Sequence, residues 1–340
     1  MAIRIAIHGF GRIGRSAFRA AWERAGVEIA AVSDREDPRA LGHLLQYDTV
    51  HGRFRGTVEA GTDRLRVENR EIPFVRADAP TRCPWADLGV DLVLECTGRN
   101  TVRGRAARHL EAGARWVVVS APAEGADLTV VLGVNDHLLD PDRHRIVSNA
   151  SCTTNCLAPI LKVLHQGFGV RRGLVTTVHS YTNDQKLLDS PHPDLRRARA
   201  AGVSMVPTTT GAARAVGLVL PELADRLDGV SVRVPTPDVS LADITVALEA
   251  RATADQVNAE LKRAAEGPLR GILAYTEEPL VSVDHVGSPF SAVVDGPQTR
   301  MVGGDFVKLQ AWYDNEWGYA NRLVDLALRF SYQFAIKMSS

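Results

Sequence analysis

Lysine is scarce in this chain, with 5 residues against 35 arginines. That imbalance matches the codon bias of a GC-rich genome and carries no mechanistic information. Cysteine is also sparse, with only 4 in 340 residues, too few for a disulfide framework. No apolar run approaches the ~20 residues a membrane span needs. Net charge is +0, which removes any global pull toward nucleic acid or an anionic membrane. The segment Met1-Ala2-Ile3-Arg4-Ile5-Ala6-Ile7 has no signal-peptide apolar region or cleavage site. These absences together lead to the expectation of a protein of the reducing cytoplasm. No metal site is expected. What remains is ordinary for a globular chain: 45% apolar and 24% charged residues, over a length that allows two domains and a large core.

The N-terminal part alternates strands and helices. Ile3 to His8 reads as a buried strand, residues 15–25 as a helix with Phe18, Ala21 and Trp22 on one face, and Val27 to Asp34 as a second strand. Between the first strand and the helix lies Gly9-Phe10-Gly11-Arg12-Ile13-Gly14. A G-x-G-x-x-G alone is weak. Here it leaves a strand, opens a helix, and precedes an acidic residue at a strand end, which is the context of a dinucleotide fingerprint. Glycines let the backbone approach a pyrophosphate, the helix N-terminus supplies donors and dipole, and Asp34 can accept from a ribose hydroxyl. Further strands at Val90–Gly98 and Trp116–Ser120, with a helix over 101–112, imply a mostly parallel sheet.

Near residue 150 the pattern changes. Strand-like segments at 173–179, 230–235, 239–250, 291–295 and 305–313 suggest an antiparallel sheet, with helices at 153–167, 210–219 and 253–264 on one face. The expected fold is α/β: a Rossmann-type parallel-sheet domain over 1–150, completed by a C-terminal helix at about 316–333, and an α+β domain over 151–315 with a mostly antiparallel sheet. At the boundary stands Ser148-Asn149-Ala150-Ser151-Cys152-Thr153-Thr154-Asn155-Cys156, a small-residue loop feeding a helix. A thiol there meets unpaired N–H groups and the positive end of the helix dipole, and both favour thiolate. Cys152 is therefore a candidate nucleophile. Cys156 reads as a small buried packing residue, since C-x-x-x-C is not a usual redox spacing.

The motifs, in their order and spacing, resemble the phosphorylating glyceraldehyde-3-phosphate dehydrogenase family over almost the whole chain. They are Gly9 to Arg15, Ser148 to Cys156, His179-Ser180-Tyr181-Thr182-Asn183-Asp184-Gln185, Pro207 to Ala213, Arg233-Val234-Pro235-Thr236-Pro237, and Trp312-Tyr313-Asp314-Asn315-Glu316-Trp317-Gly318-Tyr319. The resemblance implies that Cys152 attacks an aldehyde, that hydride passes to nicotinamide, and that inorganic phosphate cleaves the resulting thioester. It implies His179 as base. It places Ser151, Thr153, Arg197, Thr210 and Gly211 around the attacking phosphate, and Thr182 and Arg233 around the phosphate already on the substrate. It sets Gly9, Gly11, Arg12, Ile13, Gly14, Asp34, Arg35, Ser120 and Asn315 against NAD, with Asn315 on the nicotinamide carboxamide. It also implies a homotetramer acting on a small molecule, without nucleic acid or membrane partners. Which of Arg196, Arg197 and Arg199 points inward is a question of register that the residues leave open.

Three departures from the family pattern stand out. Arg35 follows Asp34 where an apolar residue is common, and could pair with the 2′-phosphate of NADP as a second cofactor beside NAD. Asp78 stands where an arginine often lies along the adenine, and His8 stands where asparagine is common. Alternative readings are erythrose-4-phosphate dehydrogenase, a Cys–His acyltransferase or hydrolase, and a binding protein with a vestigial site. The last is opposed by the presence of every expected catalytic residue. The dinucleotide signature opposes the acyltransferase and hydrolase.

Overall fold

The computed structural model describes residues 2–339. It divides into two compact units, one of Met1–Val130, His137–Ala150 and Ala320–Ser340, the other of Val131–Asp136 and Ser151–Tyr319.

The first unit is built on a nine-stranded sheet. Its strands run in the order Leu128–Thr129, Ile146–Ser148, Trp116–Val119, Leu92–Glu95, Ile3–His8, Val27–Asp34, Arg70–Arg76, Arg64–Val67 and Val58–Ala60. All pairs are parallel as far as Arg70–Arg76, and the last two are antiparallel. Ile5, Ile7, Leu92, Leu94, Val117 and Val118 are fully buried, as expected of parallel strands covered on both faces. Strand order reverses beside Ile3–His8, which has Val27–Asp34 on one side and Leu92–Glu95 on the other. Open α/β sheets bind their ligands at such a point.

The second unit holds a seven-stranded sheet in the order Val206–Thr209, Leu227–Val234, Val170–Ser180, Ser240–Leu248, Phe306–Tyr313, Ala292–Val302 and Leu273–Thr276. It is mostly antiparallel, but Val170–Ser180 runs parallel to Leu227–Val234. A second parallel pair joins Ala292–Val302 to Leu273–Thr276. Along Ser240–Leu248 burial alternates strictly, with Ala242, Ile244, Val246 and Leu248 inward. This is the period-two pattern of a strand with one face in the core.

Several elements differ from the sequence expectation. The first helix is Arg12–Trp22, not 15–25, because glycine at the N-cap position 11 lets it start directly after the turn. The helix expected over 101–112 is two short ones, Arg103–Ala106 and Arg108–Glu111, broken at Ala107. Strands at Val58–Ala60, Arg64–Val67 and Arg70–Arg76 lie outside the sequence expectation; the first two are only three and four residues long, too short for their alternation to stand out. The final helix spans Trp317–Ser339.

Candidate active site

In the first unit the glycine turn has a steric reason at two of its three glycines. Gly9 adopts φ +93°, and a Cβ there would lie 2.6 Å from the Thr97 nitrogen. A Cβ on Gly14 would sit 2.0 Å from the Gly9 carbonyl oxygen, so close helix–strand packing needs glycine there too. Gly11 differs, because nothing lies within 4 Å of its would-be Cβ. It caps helix Arg12–Trp22 without a side-chain hydrogen bond, and the first-turn N–H groups of a helix have no partner within the helix itself. That is a cradle for an anion such as a pyrophosphate, and the residues fit a dinucleotide.

Asp34 lines the adjoining cleft of about 280 Å³ with His8, Gly9, Gly11, Arg35, Asp78, Thr97 and Asn100. Its carboxylate accepts from the Phe10 amide at 2.6 Å and the Glu36 amide at 3.0 Å, which fixes it at the strand end. Arg35 is turned to Glu36, Nε to Oε1 3.0 Å, so its charge is answered within the protein. Asp78 pairs with Arg82. The Arg12 side chain makes a two-pronged bond to Asp48 at 2.8 and 3.2 Å, so this guanidinium is engaged away from the cradle. What Arg12 and Ile13 offer the cradle is their place in the helix's first turn. Ser120 follows strand Trp116–Val119, and its amide donates to the Glu95 carbonyl at 3.0 Å.

Behind the cleft, His8 meets a closed network. Glu95 accepts from the Thr97 amide and hydroxyl, from Asn100 at 2.8 Å and from His109 Nε2 at 2.9 Å. Trp85 donates to His109 Nδ1 at 3.0 Å, which puts that ring's proton on Nε2. His8 is pushed down to about 4, chiefly by burial, with His109 adding to the effect and Glu95 and Asp34 opposing it.

In the second unit, Cys152 is the first residue of helix Cys152–Phe168, and Ser151 caps that helix by accepting from the Thr154 amide at 3.1 Å. His179 comes from the end of strand Val170–Ser180, and its Nε2 lies 3.6 Å from Cys152 Sγ. The ring's Nδ1 is 2.7 Å from the Ser180 carbonyl and 3.2 Å from Arg233 Nη1; the closer carbonyl takes the ring N–H, and Arg233 directs its protons to the Ser180 carbonyl and Thr182 instead. Nε2 therefore presents its lone pair to sulfur. Parallel register sets Arg233 directly beside His179, and the guanidinium donates from Nη1 to the Ser180 carbonyl at 3.2 Å and to Thr182 Oγ1 at 3.1 Å. Arg233 Nε is buried and has no acceptor among the described residues.

Arg197 is the inward arginine of its cluster. It reaches Asp184 at 2.9 Å, Thr208 Oγ1 at 3.0 Å and the Thr209 carbonyl at 3.4 Å, whereas Arg199 is exposed and pairs with Asp189. Asp184 also accepts from Thr182, so it stands between the Arg197 and Arg233 groups. The residue lies inside the His179–Gln185 motif, but its role is invisible without the fold. Thr182, Arg197, Arg233, His179 and Cys152 thus form one connected cluster. Thr153 turns its hydroxyl to Tyr313 at 3.0 Å. Thr210 accepts from the Ala212 amide at 3.2 Å, and Gly211 caps helix Ala212–Val219 with open space at its Cβ position. These residues flank the cluster without hydrogen bonds to Arg197. Cys156 is fully buried.

Burial pushes the Cys152 thiol up, against the pull of Arg233 and of Thr153. Burial also pushes His179 down to about 3, and Arg233 adds to that. Neither group would charge alone. The helix start by itself does not yield a standing thiolate; moving the proton from sulfur to Nε2 creates both charges together, and their mutual attraction offsets the loss of solvation.

Fold and site define a class, the nicotinamide-dependent dehydrogenases with a dinucleotide unit and a separate unit carrying a nucleophilic thiol. Residues 3–103 match the family model described as glyceraldehyde 3-phosphate dehydrogenase, NAD binding domain, and residues 151–315 match that family's C-terminal domain. The glyceraldehyde-3-phosphate dehydrogenase of Geobacillus stearothermophilus is 55% identical over 96% of this chain and 98% of its own length. The first such enzyme of Bacillus cereus is 53% identical over 95% and 97%. A second such enzyme of Streptomyces avermitilis is 51% identical over 96% and 98%. The chain belongs to the glyceraldehyde-3-phosphate dehydrogenase family. It is an oxidoreductase with that activity, and its cofactor is NAD.

Proposed function

We propose that Cys152 and His179 carry out a phosphorylating oxidation of D-glyceraldehyde 3-phosphate. The observation that carries this reading is the 3.6 Å approach of Nε2 to Sγ beside Arg233. His179 takes the thiol proton as sulfur adds to the aldehyde carbon, and returns it to the new oxyanion. The product is a thiohemiacetal on Cys152. Bound NAD supplies the acceptor for the hydride that then leaves this carbon. As that happens His179 removes the hydroxyl proton, leaving a thioester. A phosphate oxygen attacks the thioester, and His179 protonates the departing sulfur, releasing 1,3-bisphosphoglycerate. Covalent capture keeps the energy of oxidation in a reactive acyl group.

Arg233 and Thr182 would hold the substrate's own phosphate, and the acceptorless Arg233 Nε supports an anion there. Arg197 with Ser151, Thr153, Thr210 and Gly211 would hold the attacking phosphate. The unit containing residues 1–150 would serve the cofactor through Gly9, Gly11, Arg12, Ile13, Gly14, Asp34, Arg35 and Ser120, and the unit containing 151–315 the substrate, with Asn315 on the cofactor's carboxamide. NADP remains a weaker second cofactor, because Glu36 engages Arg35 and leaves Asp34 to repel a 2′-phosphate.

Phosphate-dependent NAD reduction by the wild type and by Cys152→Ser tests the assignment. Retention of more than a trace of activity by the variant would refute it. Erythrose 4-phosphate in the same assay separates the neighbouring activity.

A homotetramer is supported by the sheet face of the second unit that its own helices leave uncovered. Leu174, Val230 and Phe306 stand exposed there, beside a groove of about 870 Å³ that includes Leu174, Thr245 and Phe306. Among the described residues no helix is long and apolar enough to cross a membrane. All four cysteines are free, which supports a cytoplasmic site of action.

A further inference from the structure

Asn315 is 5% exposed, and its amide is held in an unequal way. Its Oδ1 accepts two hydroxyl hydrogen bonds, from Ser180 at 2.8 Å and from Ser240 at 2.7 Å. Antiparallel register brings these residues together: Ser240 opens the strand opposite Tyr313, two residues before Asn315, and Ser180 closes the strand on the other side. A hydroxyl can donate or accept. Ser240 Oγ accepts the Ser180 amide hydrogen at 3.1 Å, and the one proton it carries goes to Asn315 Oδ1 at 2.7 Å. With the oxygen capped twice, the Asn315 Nδ2 group has no hydrogen-bond partner among the described residues.

We infer that Ser180 and Ser240 are positioning residues that lock Asn315 as a donor-only group for a ligand carbonyl oxygen, here the carboxamide oxygen of NAD. The inference rests on the proposed role of Asn315. Ser180 has a second duty: its carbonyl accepts from His179 Nδ1 at 2.7 Å. One residue thus orients the base through its backbone and the cofactor-facing amide through its side chain. Without the two hydroxyls the amide could turn over and offer its oxygen to another oxygen, which repels.

The test measures binding of NAD and of ADP-ribose, which lacks nicotinamide, to wild type, Ser180→Ala, Ser240→Ala, the double variant and Asn315→Ala by calorimetry. Each single serine variant should weaken NAD binding by about 3–10-fold, and the double by more, as expected for loss of one or two neutral hydrogen bonds. ADP-ribose affinity should stay within about twofold of wild type throughout, on the same reasoning that no ADP-ribose hydrogen bond is lost. Parallel loss of both ligands would show general damage to the fold and overturn the inference. Weakened NAD binding in Asn315→Ala, with none in the serine double variant, would remove the serine lock alone. No NAD-specific loss in Asn315→Ala would remove the underlying role of Asn315 as well.

Discussion

The two units solve opposite problems with buried charge. In the first, functional groups sit at an open edge: Gly11 faces empty space, and Asp34 is fixed by backbone amides while lining a cleft. In the second, Cys152, His179 and Arg233 are enclosed and depend on one another for their charge state. On the proposed assignment, the cofactor unit works by shape and backbone donors, and the chemical unit by coupled side chains. Substitutions should be graded in the first and disabling in the second.

The largest expected effect is Cys152→Ser, which should lower kcat by on the order of 10⁴–10⁶-fold, as loss of a nucleophile does elsewhere. NAD affinity measured separately should change little. Next, His179→Asn should reduce kcat by roughly 10²–10⁴-fold. It should also move the pH profile of Cys152 alkylation upward, because the thiolate loses the imidazolium formed with it. An unmoved profile would mean that the two groups titrate independently. Arg233→Ala should raise KM for the sugar phosphate by about 10–100-fold, the range of a charge-assisted hydrogen bond, with Arg233→Lys recovering only part.

Legibility in the sequence followed the same divide. The first unit's strand–turn–helix is local, so Ile3 to Asp34 could be read from apolar runs and three glycines. Cys152 was visible through its small neighbours and the helix behind it. Its charge state was not, because burial and Arg233 act from segments far along the chain. Asp184 and the Ser180–Ser240–Asn315 contacts depend on strand register, which no local pattern encodes. Among the arginines at 196–199, only the folded loop distinguishes Arg197 from Arg199.

Smaller effects sharpen the comparison from the cofactor side. Asp34→Ala should narrow the preference for NAD over NADP by about tenfold, the size of one such charge-assisted contact, read as the ratio of kcat/KM values. An unchanged ratio would move discrimination to Glu36 or Asp78. The smallest concerns acid stability. His8 titrates at about 4 when folded against 6.5 in a free chain, so the unfolded state binds more protons between those values. Stability from this group is complete above about pH 6.5 and is lost as pH falls toward 4. His8→Asn should flatten that part of the curve, followed by hydrogen exchange in Ile3–His8. An equally steep acid limb would exclude His8 as its source.

The central claim is that the oxidised substrate is carried on Cys152. Mixing enzyme with NAD and glyceraldehyde 3-phosphate in the absence of inorganic phosphate tests it most directly, with NADH absorbance and intact-protein mass read together. The account predicts a burst of about one NADH per active site. It also predicts a matching acyl adduct that maps to Cys152 and disappears when phosphate is added. A burst with no adduct, or an adduct on another residue, would contradict it.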